Sequence, residues 1–242
     1  HYRDDEFLSS KHYDSVEQGL AIFEDDTLLF RPGTEFHYST YGWDLVSAVI
    51  EGASGEPFLR YMREHVLEPL DLSHTVADQP DSLIPYRARP YDMRTDGTLV
   101  NAPWVDNSYK WAGGGYLSTP SDLVRYATRL EDGELLLPKT LRLLFTSQET
   151  TDGKPTHYGM GWFVRADSAG RRTIYHSGGS VGGTTFLLLY PDQGVAAALV
   201  MNLTGSKAVA DALGGTSLAD IAIRLAGPYL EDTAALGGSE PR

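Results

Sequence analysis

Apolar and polar positions recur with different periods in the two halves of the chain. Over residues 40–53 Leu45, Val46, Val49 and Ile50 recur at three- and four-residue steps. This predicts an amphipathic helix with that face buried. Arg31-Pro32-Gly33 is a turn signal before it, and Gly52 and Gly55 weaken and then end it. Glu56-Pro57 opens a second helix to about Leu67, with Phe58, Tyr61, Met62 and Val66 as its apolar face and Pro69 as its stop. Thr119-Pro120-Ser121-Asp122 starts a third. Thr119 is the N-cap, Pro120 fits the first helical position, and Asp122 stands where a capping box places its acid. Leu123, Tyr126, Ala127 and Leu130 form its buried stripe, and Pro138 starts a short helix through Phe145. After residue 157 the pattern becomes strand-like. Strands are predicted at 161–165, 172–176, 184–190 and 194–201, with Pro191-Asp192-Gln193-Gly194 as a hairpin turn. Residues 207–225 close as a helix with Val209, Leu213, Leu218, Ile221 and Leu225 apolar, interrupted by Gly214-Gly215.

Residues 1–30 are weakly patterned, with a short apolar hint at 20–23. Residues 71–110 lack a sustained period and carry Pro80, Pro85, Pro90 and Pro103, which predicts long loops with short strands covering a site. Gly113-Gly114-Gly115 predicts tight backbone approach or positive φ. The tail from Glu231 is rich in glycine and charge and is expected to be flexible over 231–242. The expected fold class is α+β, an antiparallel sheet flanked by helices plus a mostly helical region. Residues 1–230 are expected to belong to one domain, helical over about 38–150, with the sheet and final helix over about 157–226.

The 242 residues include 41% hydrophobic and 11% aromatic side chains, ordinary values for a packed protein. The net charge of −13 disfavours nucleic acid and anionic membrane surfaces as partners. There are no cysteines, so disulfides, thiolate metal sites and a cysteine nucleophile are excluded. The seven histidines are scattered, and neither a metal nor a cofactor is expected.

Two short runs carry candidate chemistry. Tyr38-Ser39-Thr40 heads the first helix, and His176-Ser177-Gly178-Gly179 ends a predicted strand. A Ser-x-x-Lys motif is absent from the sequence. Gly178-Gly179-Ser180-Val181-Gly182 matches the Gly-x-Ser-x-Gly nucleophile elbow. That motif works on a strand-turn-helix, and here a strand follows, so Ser180 is not expected to be the nucleophile. Asp106 and Lys110 precede the glycine triplet and are candidates to line a cleft.

The runs 36–43, Gly55 to Pro69-Leu70, 113–123 and 176–179 occur in an order that resembles the serine β-lactamase-like superfamily of class C β-lactamases, DD-peptidases and related esterases. Arg87-Ala88-Arg89, Leu99-Val100-Asn101 and residues 105–112 are similar to its mitochondrial branch and that branch's bacterial relatives. The resemblance spans roughly residues 1–226. It implies a β-lactamase/transpeptidase-like fold and acyl transfer through a serine ester, on peptide, amide or ester bonds. It also implies a mitochondrial compartment in a eukaryote and the periplasm or cell envelope in a bacterium.

A serine hydroxyl is a poor nucleophile at neutral pH and needs a base. In this superfamily a lysine one turn after the serine shares that work with a tyrosine, which Tyr38 matches. A phenol needs nearby cations to become an effective base. His176 stands where β-lactamases place the lysine of Lys-Thr-Gly, as in the esterase and peptidase branches, and is expected to carry partial positive charge near neutral pH. The Gly179 amide is expected to be half of an oxyanion hole, the missing serine's amide being the other half. Thr40, where many relatives carry asparagine, Ser177 and Gly178 are the expected substrate contacts. The nucleophile is expected on an upstream fragment of the same precursor, still bound after cleavage before His1. The alternative is a non-catalytic binding or structural protein that kept the fold.

Overall fold

The computed structural model describes residues 6–236. A single 3-10 turn, Glu6–Leu8, precedes α1 (Val16–Leu20). The helix predicted over 40–53 is α2 (Thr40–Ser54). Ser39 Oγ caps its start by accepting from the Gly42 amide at 3.4 Å, and Gly55 ends it at φ 71°. α3 (Phe58–Met62) runs on as a π-helical turn, Arg63–Leu67. The proline-rich stretch holds β1 (Val76–Ala77), β2 (Tyr91–Met93) and β3 (Leu99–Asn101). The 3-10 turn Ser108–Lys110 then leads into α4 (Trp111–Gly114) and β4 (Tyr116–Leu117). β1 pairs with β4 and β2 with β3, all antiparallel.

α5 (Pro120–Glu131) starts at its predicted residue, with Thr119 Oγ1 accepting from the Asp122 amide at 3.2 Å. Asp122 does not return the bond as in a capping box. Its buried carboxylate accepts from the His74 amide, from Thr75 Oγ1 and from Arg125, tying α5 to the segment before β1. α6 (Pro138–Leu144) follows.

The second half is a meander of β5 (Phe163–Ala166), β6 (Arg172–Ser180), β7 (Gly183–Tyr190) and β8 (Val195–Met201), in that spatial order. α7 (Ser206–Ala212) and α8 (Leu218–Leu236) close the chain, separated where Gly214 and Gly215 take φ 66° and 89°. The tail expected to be flexible from 231 is helical as far as Leu236; residues 237–242 lie outside the described residues.

Helices cover both faces of the sheet. Phe186, Leu188 and Tyr190 of β7 pack with Val209, Leu218, Ala222 and Ala226 of α7 and α8. Leu187 and Leu189 point the other way, onto Ala127 and Leu130 of α5, Phe145 and Trp162. A strand buried on both faces needs the near-continuous apolar run that residues 186–190 supply.

α2 departs from its predicted orientation. Leu45, Val46 and Val49 are 52%, 42% and 63% exposed, Ile50 is half-buried against the cluster of Val16, Phe58 and Trp111 as predicted, and Tyr41, Asp44 and Ser47 are buried. The close neighbour of α2 is α4, and it stands against the polar side. A Cβ on Gly113 would lie 2.3 Å from Thr40 Cγ2 and 3.1 Å from Asp44 Oδ1, so the triplet's tight backbone approach is real at this position.

Candidate active site

The site forms where the head of α2 meets β6. Residues 36–38 lead into α2 through Ser39, whose backbone is extended, and Tyr38 stands beside the sheet. β6 is longer than predicted and runs through Ser180, so His176 lies mid-strand, opposite Leu187. The Tyr38 and His176 rings are 5.6 Å apart, centre to centre. Beside them is a pocket of about 220 Å³ whose walls include Phe36, Tyr38, Gly42, Trp43, Val46 and Tyr158.

Alternation along β6 sorts the other expected residues. His176, Gly178 and Ser180 share one face, and Ser177 and Gly179 share the other. Gly178 is glycine because a Cβ would sit 2.3 Å from Thr185 Oγ1 on β7, a constraint set by the neighbouring strand. A Cβ at Gly179 would meet nothing within 4 Å, on the face that it shares with Ser177. Ser177 is exposed on the face away from His176. Thr40 does not line the pocket; its methyl covers Gly113. Ser180 is followed by a tight turn into β7, which is strand-turn-strand and not an elbow. Its hydroxyl accepts from Lys110 Nζ at 3.5 Å.

His176 differs from the expected partial cation. Its Nδ1–H donates to its neighbour, the Ser177 carbonyl, at 2.6 Å, which leaves Nε2 as the acceptor for the Tyr158 hydroxyl at 3.0 Å. Burial lowers its pKa, only partly offset by the Ser177 carbonyl, so the imidazole is neutral at pH 7. Tyr38 is shifted upward, by burial and then by the Asp44 carboxylate, with the Trp43 indole opposing weakly. Burial chiefly raises Tyr158 as well. Both phenols are therefore protonated at neutral pH in this chain.

Beneath the site lies a buried charge cluster. Asp44 is 3% exposed, and among the described residues neither of its oxygens completes a hydrogen bond. Burial pushes its carboxyl up to about 7, with partial relief from the Gly113 amide and the charge of Lys110. Lys110 is 2% exposed. Burial pulls its ammonium down to about 8, against the attraction of Asp44 and Asp78. Asp78 in turn accepts from Arg87 and from Asn107 Nδ2. Asp106 serves the fold: its carboxylate accepts from the Ser108 amide and pairs with His12 Nδ1, each at 2.8 Å. Sequence reasoning missed Asp44, Trp43 and Tyr158. A charge at position 44, in helical step with Tyr41 and Ser47, was the available signal for the first.

Comparison with known proteins agrees with this architecture. The Beta-lactamase family model matches residues 1–219. The mitochondrial serine beta-lactamase-like protein LACTB of Bos taurus is 37% identical over 212 residues, covering 77% of this chain and 38% of that protein. Protein flp of Staphylococcus aureus strain MW2 is 24% identical over 180 residues, covering 74% of this chain and 35% of that protein. The chain thus spans well under half the length of these relatives. Among solved structures, D-amino acid amidase from Ochrobactrum anthropi SV3 superposes with TM-score 0.71 at 20% identity, covering 96% of this chain and 67% of that one. The octameric penicillin-binding protein homologue from Pyrococcus abyssi gives TM-score 0.70 at 25% identity, covering 92% and 48%. With the family model matching most of its length and a relative 37% identical over 212 residues, the chain belongs to the Beta-lactamase family.

Proposed function

We propose that this chain is the larger part of a serine hydrolase that cleaves a peptide, amide or ester bond through an acyl-enzyme. The nucleophile would come from a Ser-x-x-Lys segment outside these 242 residues. The observation that carries the reading is the meeting of Tyr38 and His176 beside an open pocket. The amidase among the solved relatives favours an amide-type substrate, taken as a small acyl compound or peptide.

The chemistry would run as follows. The serine oxygen attacks the substrate carbonyl carbon, and its proton passes to the lysine–tyrosine pair. The resulting oxyanion accepts hydrogen bonds from the Gly179 amide and from the serine's own amide. Collapse breaks the bond to the leaving group, which takes up the proton. Water then attacks the ester, releasing the acid and restoring the serine. Tyr38 alone is held protonated by burial and Asp44, so it needs a cation beside it, and the incoming lysine supplies one.

The exposed face of α2 gives such a segment a place to dock. Leu45 and Val49 flank Val46, which is also a pocket wall, so one helix lying there could bring a serine to Tyr38. A non-catalytic protein that kept the fold is the second reading, favoured by a His176 whose two nitrogens are both engaged within the chain. Substitution Tyr38→Phe separates the two. In protein carrying the nucleophile segment, turnover of an activated ester is expected to fall about 10²–10⁴-fold with the fold intact. Turnover within threefold of the parent would remove Tyr38 from the mechanism.

A further inference from the structure

His176 is held by its surroundings more completely than a site histidine free to turn would be. Its ring lies against Phe163 at 5.5 Å, Tyr158 at 5.9 Å and Tyr38 at 5.6 Å between centres. Both nitrogens are committed, Nδ1 to a backbone carbonyl and Nε2 to the Tyr158 hydroxyl. Tyr158 is itself fixed. It is buried, its carbonyl accepts from the Gln148 amide at 2.8 Å, and its amide donates to Thr156 Oγ1 at 3.2 Å. Its ring stands edge-on to Phe163 at 4.9 Å and to Tyr38 at 6.0 Å. It is thus the one side chain of the pocket wall that hydrogen-bonds His176 and packs on Tyr38.

We propose that Tyr158 is a positioning residue: the Ser177 carbonyl holds the proton of His176 on Nδ1, and the Tyr158 hydroxyl, donating to Nε2, fixes the ring angle at which the imidazole meets the site. The chemical logic is that a neutral imidazole has one donor and one acceptor, and the partner of one nitrogen dictates the state of the other. The Ser177 carbonyl can only accept, so it places the proton on Nδ1; the phenol can donate or accept, and with Nε2 unprotonated it donates. If His176 takes up a proton, Nε2–H donates to the Tyr158 oxygen, and the phenol's own proton must turn away from the imidazole. The protonation state of His176 is then transmitted through the direction of one O–H. The bearing of this on catalysis rests on the hydrolase reading; the tautomer does not.

The test is long-range ¹H–¹⁵N correlation of the histidine rings in the chain 1–242, with His176 assigned by its substitution to Gln. The expected result at pH 7.5 is a His176 ring with a protonated-type Nδ1 and an unprotonated-type Nε2. Substitution Tyr158→Phe, which keeps the ring packing, should leave Nδ1 protonated and move the Nε2 shift toward that of an unprotonated ring nitrogen without a hydrogen-bond donor. A parent His176 with Nε2 protonated overturns the proposal without any need for the variant to fold. An unchanged Nε2 shift in a folded Tyr158→Phe variant overturns it equally. In ester turnover by protein carrying the nucleophile segment, the same variant should lower kcat about tenfold with KM little changed. A parent without turnover counts against the hydrolase reading and leaves the tautomer result standing.

Discussion

Asp44 is held in a position that few carboxylates occupy, buried on α2 with the Gly113 amide and the charge of Lys110 giving it partial support. Its pKa is raised from an ordinary value near 3.8 to about 7. The unfolded chain therefore releases this proton near pH 4 while the folded chain keeps it until about 7. Across that window the folded state binds more protons, so the contribution of Asp44 to stability falls as pH rises. Substitution Asp44→Asn is expected to remove that slope and to raise stability at pH 7.5 relative to the parent by an amount on the order of 1–3 kcal/mol. Urea unfolding of both proteins at pH 4.5, 6 and 7.5 measures it; parallel curves would show that Asp44 ionises normally. The same change deprives Lys110 of a carboxylate that supports its charge, so its pKa should drop further below about 8.

At the level of elements, α2 turns Leu45, Val46 and Val49 outward and buries Tyr41, Asp44 and Ser47. Replacing Leu45 by Ala should cost this chain less than about 0.5 kcal/mol, against about 2–5 kcal/mol for a leucine buried in a core. Thermal unfolding of the variant decides between these, and a loss in the larger range would place Leu45 inside. The existence and length of α2 follow from Ser39, Gly55 and the residues between, because caps and periodicity are local. Its orientation does not, because a periodic stripe says which residues share a face and not where the neighbouring chain stands. The start of α5 is readable for the first reason, from Thr119 and Pro120. β6 overruns its predicted end because pairing of Gly178, Gly179 and Ser180 with β7 overrides the weak strand preference of those residues. Tyr38 and His176 stand out by motif, whereas Tyr158 is one tyrosine among fourteen, and only its distance to His176 distinguishes it.

Taken whole, the molecule has two parts whose contacts differ in sequence range, with the site on the seam between them. In the first part distant residues must meet. The Tyr13 amide donates to Ser108 Oγ at 2.8 Å and Val76 pairs with Leu117. In the second part each strand from β5 to β8 pairs with its successor in the chain. Closing a short loop costs less conformational entropy than closing a long one, and structures rich in local contacts fold faster. The meander should therefore form first, and the Tyr38–His176 pair should assemble in the last step. Pulse-labelled hydrogen exchange during refolding is expected to protect amides of residues 174–190 before those of 40–54; the reverse order would refute it. In the native state the same ranking makes the helical part the first cooperative unit to open. The seam between the two parts would then be lost in partial openings that leave the sheet standing, and protease cleavage within 71–110 would report those openings well below the midpoint of global unfolding.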